Sequence, residues 1–515
     1  MKNKIEILDC TLRDGGYYTN WDFDKEFVTK YLKTMENTES IKIVELGYRS
    51  LPKENYLGEY YYSPKYFLEE AKEIAPSKML AIMLNEKDVT INDLHILDDC
   101  VGNIDLIRLA VSPINLKRAL LLATKIKEKG FKVAINLMYM SEWVNDKRFL
   151  SSLKDTENKI DYLYLVDSFG SLDPEEVFKC IFNITNYIST PIGFHGHNNL
   201  ELVLINSLKA LEAGCSIVDV TVSGMGRGAG NLSTELLLTY LSSKNSIDFN
   251  LTKFSGIVSK VEGLKSHYKW GVSFPYMVSG AYSLPQSDVM NWIAKERHDI
   301  NSIVNALQNK KNKLIDNIRL KIFKNHHQFN SALIIGGGTS VKKHIQVIKK
   351  YLSLNTNVAL IHAGCRNFEL FKDLNVQQFV CLAGSESNKF DLLKISPNSI
   401  DIKLIIAPYP REMGTFLPEN FDNNIFELGS YTFTKKYYDS PFAIALQLAL
   451  EVNADKVDLI GFDGYNLNSS NKMLQVINEN QYLIDSFNLK SNVRINSFTL
   501  TKYNNTLTKS IFCNI

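Results

Sequence analysis

The feature that most constrains this chain is the alternation of short apolar runs with amphipathic segments through its first 240 residues. The segments between most of the apolar runs have the apolar spacing of helices. Eight strands that alternate with helices predict a (β/α)8 TIM barrel, whose active sites lie at the carboxyl ends of the strands. The predicted strands are 5–10, 42–47, 78–84, 104–110, 131–138, 161–167, 192–197 and 216–222.

Two of the intervening helices have clear end signals. In "DSFGSLDPEEV", Asp173 is a suitable N-cap residue and Pro174 suits the first helical position. In "ELVLINSLKALEAG", apolar residues recur at helical spacing, and Gly214 stands where a helix ends. These signals support the alternation on which the barrel prediction depends.

The second half of the chain begins a new α/β pattern. Apolar runs such as "SALIIGGGTS", "NVALIHA" and "KVDLIGFDG" alternate with amphipathic segments, and "FAIALQLALEVNA" is a strong helix candidate. This pattern predicts a Rossmann-like, doubly wound domain. We therefore expect a barrel over residues 1–294, a helical connection over 295–328 that lacks Gly and Pro, and the second domain over 329–515.

The composition excludes several classes of protein. A length of 515 residues exceeds one ordinary domain, and a net charge of +2 gives no electrostatic reason to expect a nucleic acid or a membrane surface as partner. We find no signal-peptide pattern and no apolar run long enough to span a bilayer. The seven cysteines are scattered without a CxxC pair, so we expect a reduced, cytoplasmic chain.

Two of the nine histidines, His195 and His197, lie one residue apart in "GFHGHNNL" at the end of predicted strand 7. Residues i and i+2 of a strand point to the same face. Strand 8 separates strand 7 from strand 1 in a closed barrel, so Asp14, in the loop after strand 1, and Asn231, after strand 8, belong to the same rim. Mixed nitrogen and oxygen ligands suit a catalytic divalent ion, for which Mn²⁺ is our first expectation and Mg²⁺, Co²⁺ or Zn²⁺ are alternatives.

Several motifs together resemble one superfamily. "DCTLRDGG", "VELGYRS", "VDSFGSL", "GFHGHNNL" and "GMGRGAGN" occur in the order of the DRE-TIM metallolyases, and the likeness covers residues 5–290. Within that superfamily the chain is most similar to the 4-hydroxy-2-oxovalerate aldolases. The resemblance implies a metal-dependent aldolase or lyase that acts through the enolate of a 2-keto acid, with a small-molecule keto acid and an aldehyde as substrates.

The resemblance also implies roles for individual residues. Asp14, His195 and His197 match the metal ligands, and Asn231 matches a ligand of the lyase branch. Arg13 matches the arginine that stabilises the enolate. Ser168 matches a serine near the pyruvate carboxylate, and Tyr282 resembles an active-site tyrosine of the aldolases.

The general base is where this chain departs from the family pattern. The related aldolases carry a histidine three residues after the metal-binding aspartate, where this chain has Tyr17, and the synthases carry a glutamate where this chain has Gly16. Tyr17 or Tyr18 is a candidate base if its pKa is lowered near the metal, or a packed aromatic lid. Glu45 is a further candidate base.

Arg108 lies in predicted strand 4, where a charged side chain has two interpretations. It binds a second anionic group of the substrate, or it pairs with a carboxylate of the barrel. The sequence leaves both open.

The glycine turn of the second domain suggests a phosphate site. Gly336, Gly337, Gly338 and Thr339 lie between an apolar run and a helix, where backbone N–H groups can bind a phosphate. The third glycine of the dinucleotide motif is replaced by Val341, so we do not expect NAD. The domain loosely resembles 6-hydroxymethylpterin pyrophosphokinase-like and sialyltransferase-like folds. We expect either a nucleotide or nucleotide-sugar site, or a structural or oligomerisation role.

The preferred hypothesis is a metal-dependent class II aldolase or lyase, possibly acting on a sugar-like aldehyde, which forms a homo-oligomer. Three alternatives remain. The chain could be an acyl-CoA lyase or synthase of the same superfamily, a nucleotide-dependent transferase with the barrel as an accessory, or a binding protein with a degenerate barrel.

Overall fold

The chain divides into two compact units, Met1–Met290 and Asn291–Ile515. Each unit has its own sheet and hydrophobic core. None of the helices described is both long and apolar enough to cross a lipid bilayer. The structure, a computed structural model, describes residues 5–54, 56–295, 298–316, 318–325, 327–384, 386–393, 401–411, 413–418, 421, 424–465 and 471–515.

The described residues of the first unit form a closed barrel of eight parallel strands, in which each strand pairs with the next and β8 pairs with β1. The TIM-barrel prediction is therefore confirmed, and each predicted strand agrees with the observed one to within about two residues at either end. The strands are β1 (Glu6–Asp9), β2 (Ile41–Tyr48), β3 (Met79–Asn85), β4 (Leu106–Val111), β5 (Lys132–Leu137), β6 (Tyr162–Asp167), β7 (Ile192–Gly196) and β8 (Ile217–Val220).

Helices connect the strands and cover the outside of the barrel. The α-helices are α1 (Thr11–Thr19), α2 (Lys25–Glu36), α3 (Glu59–Tyr62), α4 (Lys65–Ile74), α5 (Leu116–Glu128), α6 (Met140–Trp143), α7 (Lys147–Ser152), α8 (Pro174–Thr185), α9 (Val203–Glu212), α10 (Thr234–Ser243), α11 (Leu251–Tyr268), α12 (Phe274–Ala281) and α13 (Gln286–Lys295). Short 3₁₀ segments lie at Glu86–Asp88, Ile91–Cys100, Pro113–Asn115, Leu153–Thr156 and Val222–Gly224.

The end signals of two helices are confirmed. Asp173 caps α8, accepts a hydrogen bond from the amide of Glu176, and receives the Glu176 side chain on its own amide, which completes a capping box. Pro174 occupies the first position of α8. Gly214 follows the C-terminus of α9 with a φ of 109°, a conformation in which glycine has no steric penalty.

The segment after β1 is a helix rather than the predicted loop. The helix α1 begins one residue after β1 ends, and it contains Arg13 and Asp14. Its two glycines are poor helix formers, but both are required by packing. A Cβ atom on Gly15 would lie 2.6 Å from Met225 Sδ, and one on Gly16 would lie 2.1 Å from the Trp21 ring.

The interior of the barrel is layered. A small apolar cluster comprises Leu8, Cys10, Ile43, Ala81, Leu106, Ala134, Tyr164 and Ile217. Two residues further along their strands, on the same face, lie Glu45, Arg108, Asn136 and Asp219. The barrel therefore changes from an apolar layer to a charged layer towards the carboxyl ends of its strands.

The second unit contains an eight-stranded parallel sheet among its described residues. The strands run in the order β13-β12-β11-β10-β9-β14-β15-β16, so the chain reverses its direction of winding between β9 and β14. The predicted doubly wound sheet is confirmed, although the two short strands β15 and β16 were not predicted. The strands are β9 (Ser331–Ile335), β10 (Val358–Ala363), β11 (Gln378–Leu382), β12 (Ile402–Ile406), β13 (Ile425–Glu427), β14 (Lys456–Ile460), β15 (Arg494–Ser497) and β16 (Leu507–Thr508).

The predicted connection over 295–328 is helical only in its first part. Beyond α14 none of the described residues of this connection is helical, and Ile322 forms a parallel bridge with Glu427 of β13. Alternating apolar residues in "IRLKIF" suit this edge pairing better than a helix. The α-helices of the second unit are α14 (Ile300–Lys311), α15 (Ser340–Leu354), α16 (Glu386–Asp391), α17 (Pro441–Glu451) and α18 (Asn471–Lys490), with 3₁₀ segments at Phe368–Leu370 and Ile511–Asn514.

Gly16→Ala should destabilise the barrel by about 1–3 kcal/mol, because the new methyl group overlaps the buried Trp21 ring. Urea unfolding measures this change. Gly263→Ala is the matched control, since Gly263 lies in α11 with nothing within 4 Å of the added Cβ. Helix propensity predicts that the control is neutral or stabilising. Equal effects of the two substitutions would contradict the packing argument.

Candidate active site

The two histidines lie together at the carboxyl end of β7. His195 belongs to the strand, and His197 lies just beyond it and forms an antiparallel bridge with Asn231. The ring centroids of His195 and His197 are 5.2 Å apart, and both side chains are buried. The structure therefore brings Asn231 to the histidines, as the order of strands in the barrel predicted.

One ring nitrogen of each histidine is already bound. His195 Nδ1 lies 3.0 Å from Asp219 Oδ2, and His197 Nδ1 lies 2.9 Å from the Asp167 carbonyl oxygen. Both partners accept hydrogen bonds, so each Nδ1 donates. Burial, followed by the neighbouring His195, lowers the pKa of His197 to about 3, so its ring is neutral. Its Nε2 then carries a free lone pair, the arrangement in which histidine binds metals.

Asp14 lies close to the Nε2 atom of His195. Its Oδ2 lies 3.5 Å from His195 Nε2, accepts a hydrogen bond from Asn231 Nδ2, and its Oδ1 is paired with Arg13. Burial opposes ionisation of Asp14, but the charge of Arg13, aided by the two histidines, lowers its pKa to about 2. A carboxylate oxygen and an imidazole lone pair at this separation repel each other unless a cation or a proton lies between them.

Asn231 completes the arrangement. Its side chain is buried, and its Oδ1 has no hydrogen-bond partner among the described residues. A buried amide oxygen without a partner is costly, and a metal ion would satisfy it. We call Asp14, His195, His197 and Asn231 the candidate metal site, and their nitrogen and oxygen atoms fit a divalent ion.

A second group could also hold a metal ion. Cys10, His195 and Asp219 each bring a ligand atom within 4.8 Å of the others. However, Asp219 Oδ2 already accepts hydrogen bonds from Arg108 at 2.6 Å and from His195. Burial also raises the pKa of the Cys10 thiol well above its usual value, and the neutral thiol is a poor ligand. Asp219 therefore orients His195 through Oδ2, while its Oδ1 is buried without a hydrogen-bond partner among the described residues.

Buried charges connect the candidate metal site to the barrel interior. Glu45 Oε2 accepts hydrogen bonds from Arg13 Nε at 2.8 Å and from Arg108 Nη1 at 3.0 Å. Arg108 also donates to Asn136 Oδ1 at 3.1 Å and lies 4.1 Å above the Tyr164 ring. Of the two interpretations of Arg108, the structure shows pairing with carboxylates. The Nη2 group of Arg13 has no hydrogen-bond partner among the described residues, whereas Nε and Nη1 pair with Glu45 and Asp14.

The two tyrosines of α1 differ in environment. Tyr17 Oη lies 2.9 Å from Tyr48 Oη, and the Arg227 guanidinium lies 4.4 Å above its ring. Tyr18 Oη donates to the Gly228 carbonyl oxygen at 3.4 Å, and burial raises the pKa of Tyr18 to about 12. Burial thus opposes ionisation of Tyr18, and the role of Tyr18 as a base stays a prediction.

Ser168 and Tyr282 lie on neighbouring parts of the barrel rim. Ser168 follows β6, and its Oγ accepts a hydrogen bond from the Tyr139 amide at 2.9 Å. Tyr282 is the half-buried C-cap residue of α12. Asn199, after β7, donates to the Tyr276 carbonyl oxygen at 2.9 Å and so attaches α12 to the rim.

Sequence reasoning missed three residues that touch the predicted ones: Asp219, Tyr48 and Arg227. Asp219 carried a signal, because a carboxylate between the apolar residues of "IVDV" needs a buried partner. Arg227 carried none, because arginine in a glycine-rich loop is usually solvated.

The second unit has a crevice of about 520 Å³ at the carboxyl ends of β9 and β14. Gly336–Thr339 line it, but the Gly338 amide, which we expected to be available to a phosphate, is not free. That amide donates to the Gly461 carbonyl oxygen at 2.8 Å, and Asp463 accepts from the Ser340 amide at 3.0 Å. Within the described ranges, the amides of Gly337 and Thr339 have no acceptor.

Arg366, which was not predicted, borders the same turn. A Cβ atom on Gly337 would lie 3.2 Å from Arg366 Cδ. The Arg366 side chain is exposed, and the part of the chain that the structure describes offers it no partner. Lys342 and Lys343 are exposed on α15 and are not among the residues that line the crevice.

Comparisons with known proteins match the first unit. The HMGL-like family model matches residues 115–260. A 4-hydroxy-2-oxovalerate aldolase from Geobacillus genomosp. 3 is 29% identical over 248 residues, which cover 47% of this chain and 71% of that protein. An oxaloacetate decarboxylase from Mycobacterium tuberculosis is 24% identical over 242 residues, covering 47% and 71%.

A solved structure extends the match over the whole barrel. The N-terminal domain of a proposed aldolase from Bacteroides vulgatus is 44% identical, with a TM-score of 0.56, and the match covers 59% of this chain and 100% of that one. The chain therefore belongs to the HMGL-like family, the DRE-TIM metallolyases, which are metal-dependent lyases of carbon–carbon bonds.

Proposed function

We propose that the barrel makes or breaks a carbon–carbon bond through the enolate of a pyruvate-type 2-keto acid, with an aldehyde as the second substrate. The observation that carries the proposal is the approach of His195 Nε2 to Asp14 Oδ2, at 3.5 Å, while His195 Nδ1 is held by Asp219. The unpartnered Oδ1 of Asn231 supports the same interpretation.

Asp14, His195, His197 and Asn231 would hold the metal. Such a mixed set suits Mn²⁺ first, and Mg²⁺, Co²⁺ or Zn²⁺ as alternatives. When bound, a divalent ion acts as a Lewis acid that polarises the keto oxygen.

Arg13 would stabilise the negative charge that develops on the enolate. In the cleavage direction, the electron pair of the broken bond passes to the keto acid fragment, and the hydroxyl proton of the other fragment leaves to a base as the aldehyde forms. Protonation of the enolate carbon then gives the keto acid. Glu45 and Asp14 hold the Nε and Nη1 groups of Arg13, so the guanidinium needs no reorganisation during the reaction. Ser168 would contact the carboxylate of the keto acid.

The hydroxyl proton requires a base near Asp14. Tyr17 is the candidate that we retain, since its hydroxyl lies at the rim and is paired with Tyr48. Glu45 Oε2 accepts hydrogen bonds from Arg13 and Arg108, so this oxygen is already occupied in the structure. Tyr282 stays a candidate active-site residue on α12.

Loss of carbon dioxide from a 2-keto acid is a second candidate for the same site. The relative named oxaloacetate decarboxylase favours it, because that substrate also leaves a pyruvate enolate. The two candidates differ only in the fragment that departs. An acyl-CoA lyase or synthase stays an alternative, although Gly16 stands where the synthases carry glutamate.

For the second unit, we propose a nucleotide or nucleotide-sugar ligand. The crevice lies where the winding of the sheet reverses, the position at which such sheets bind ligands. The amides of Gly337 and Thr339, together with Arg366, supply donors for a phosphate. The Asp463 carboxylate already accepts a hydrogen bond from the Ser340 amide in the first turn of α15, so that amide is not available to a phosphate.

Replacing both histidines should remove the metal. The His195→Ala/His197→Ala variant should contain less than about a tenth of the wild-type metal by mass spectrometry, because two of four ligands are lost. His95→Ala is the control, since His95 is an exposed histidine of the same barrel. Full occupancy in the double variant would falsify the proposed ligand set.

Arg13→Lys should slow enolate formation about 100-fold or more, because lysine keeps the charge but loses the planar donor geometry. Exchange of the methyl protons of pyruvate in D₂O, followed by NMR, measures this step without an aldehyde. Circular dichroism checks that the variant is folded. Activity within a few-fold of wild type would exclude Arg13 from this role.

ATP, CTP or a UDP-, CDP- or CMP-sugar should raise the melting temperature of the wild-type protein. Arg366→Gln should weaken that shift, because a phosphate loses its guanidinium partner. Arg494→Gln is the control, an exposed arginine of the same unit. Tight binding of NAD or NADP would contradict the motif argument, and no shift with any nucleotide would favour a structural role.

A further inference from the structure

Arg227 is held in a rigid loop beside the candidate metal site. The Gly230 amide donates to the Arg227 carbonyl oxygen at 3.0 Å, and Gln286 accepts from the Ala229 amide at 3.1 Å. On the other side of Arg227, a Cβ atom on Gly226 would lie 2.5 Å from Asn231 Nδ2. The backbone on both sides of Arg227 is therefore fixed against the site.

The side chain of Arg227 has a different environment from the other arginines of the site. Its guanidinium is half-buried and lies 4.4 Å above the Tyr17 ring. Arg13 and Arg108 pair with carboxylates, whereas no described residue accepts a hydrogen bond from Arg227. A half-buried guanidinium with unused donors is a site for an anion, because its planar fork fits carboxylate and phosphate groups.

The local charges lead to the same conclusion. The carboxylates of Asp14, Glu45 and Asp219 carry three negative charges, whereas Arg13, Arg108 and a bound divalent ion would together carry four positive charges. Arg227 adds a positive charge that no side chain of this network matches. With a divalent ion bound, the surplus positive charge would therefore favour an anionic ligand.

The position of Arg227 indicates which substrate carries that charge. Tyr17, which Arg227 covers, lies three residues after Asp14 in α1, about one helical turn away. The carboxylate of a 2-keto acid is adjacent to its keto group and stays close to the metal ligands. An anionic group one turn further along α1 belongs instead to the other reaction partner.

We propose that Arg227 binds a carboxylate or phosphate of the aldehyde, so that the barrel selects an anionic aldehyde. This inference rests on the proposed aldolase function. The cation–π contact with Tyr17 holds the guanidinium in place, and its donors, which have no acceptor among the described residues, would bind the anionic group.

The test compares aldehydes that differ mainly in charge. With pyruvate, kcat/KM is measured for succinic semialdehyde against butanal, and for glyceraldehyde 3-phosphate against glyceraldehyde. Wild type should favour the charged member of at least one pair by about 10-fold or more. Arg227→Gln should remove most of that preference, and Arg227→Lys should keep part of it. Arg148→Gln, at an exposed arginine of the same barrel, should leave the preference unchanged.

Two outcomes would overturn the inference. Wild type without any preference for the charged aldehydes removes its basis, and this result does not depend on the folding of a variant. Equal losses for charged and neutral aldehydes in Arg227→Gln indicate a structural role instead. Exchange of pyruvate protons in the wild-type protein separates the two proposals: exchange without a charge preference rejects only the Arg227 inference, whereas no exchange and no product reject the aldolase proposal and the inference with it.

Discussion

The charged layer of the barrel depends on the fully buried guanidinium of Arg108. This guanidinium joins Glu45 to Asp219 in the barrel interior, and Asp219 fixes the ring of His195. Buried charges are tolerated only when each has close partners, so the removal of one would leave the others unpaired. The orientation of His195 is therefore a property of the whole charged layer.

The same layer explains why Arg13 cannot be assigned to catalysis alone. Arg13 pairs with Asp14 on one side and Glu45 on the other, so it stabilises the ionised carboxylates of the folded barrel. Burial by itself would raise the pKa of Asp14, and the adjacent guanidinium reverses this effect. One residue thus links the stability of the barrel rim to the charge on a candidate metal ligand.

The sequence predicted the fold better than the details of the site. Strand periodicity and helix signals depend on local chemistry, so β1 to β8 and the caps of α8 were predictable from single segments. The order of barrel strands then predicted that Asp14, His195 and Asn231 would meet. Contacts between distant segments, such as Arg108 with Asp219 or Arg227 with Tyr17, leave no periodic signal. The Gly338 amide likewise donates to Gly461, which follows β14 and lies more than 100 residues further along the chain. The short strands β15 and β16 were missed because the segment of β15, "RINS", has one apolar residue and β16 spans only Leu507–Thr508.

The absence of a loop between β1 and α1 limits how this barrel can change. Arg13 and Asp14 are consecutive residues of a helix that begins one residue after its strand, and Gly15 and Gly16 pack without space for a side chain. Inserting one residue at this junction would rotate both side chains by about 100° around the helix axis. The segment that follows β1 therefore has a fixed length, so a change of substrate preference is easier on other parts of the rim, such as the loop that carries Arg227.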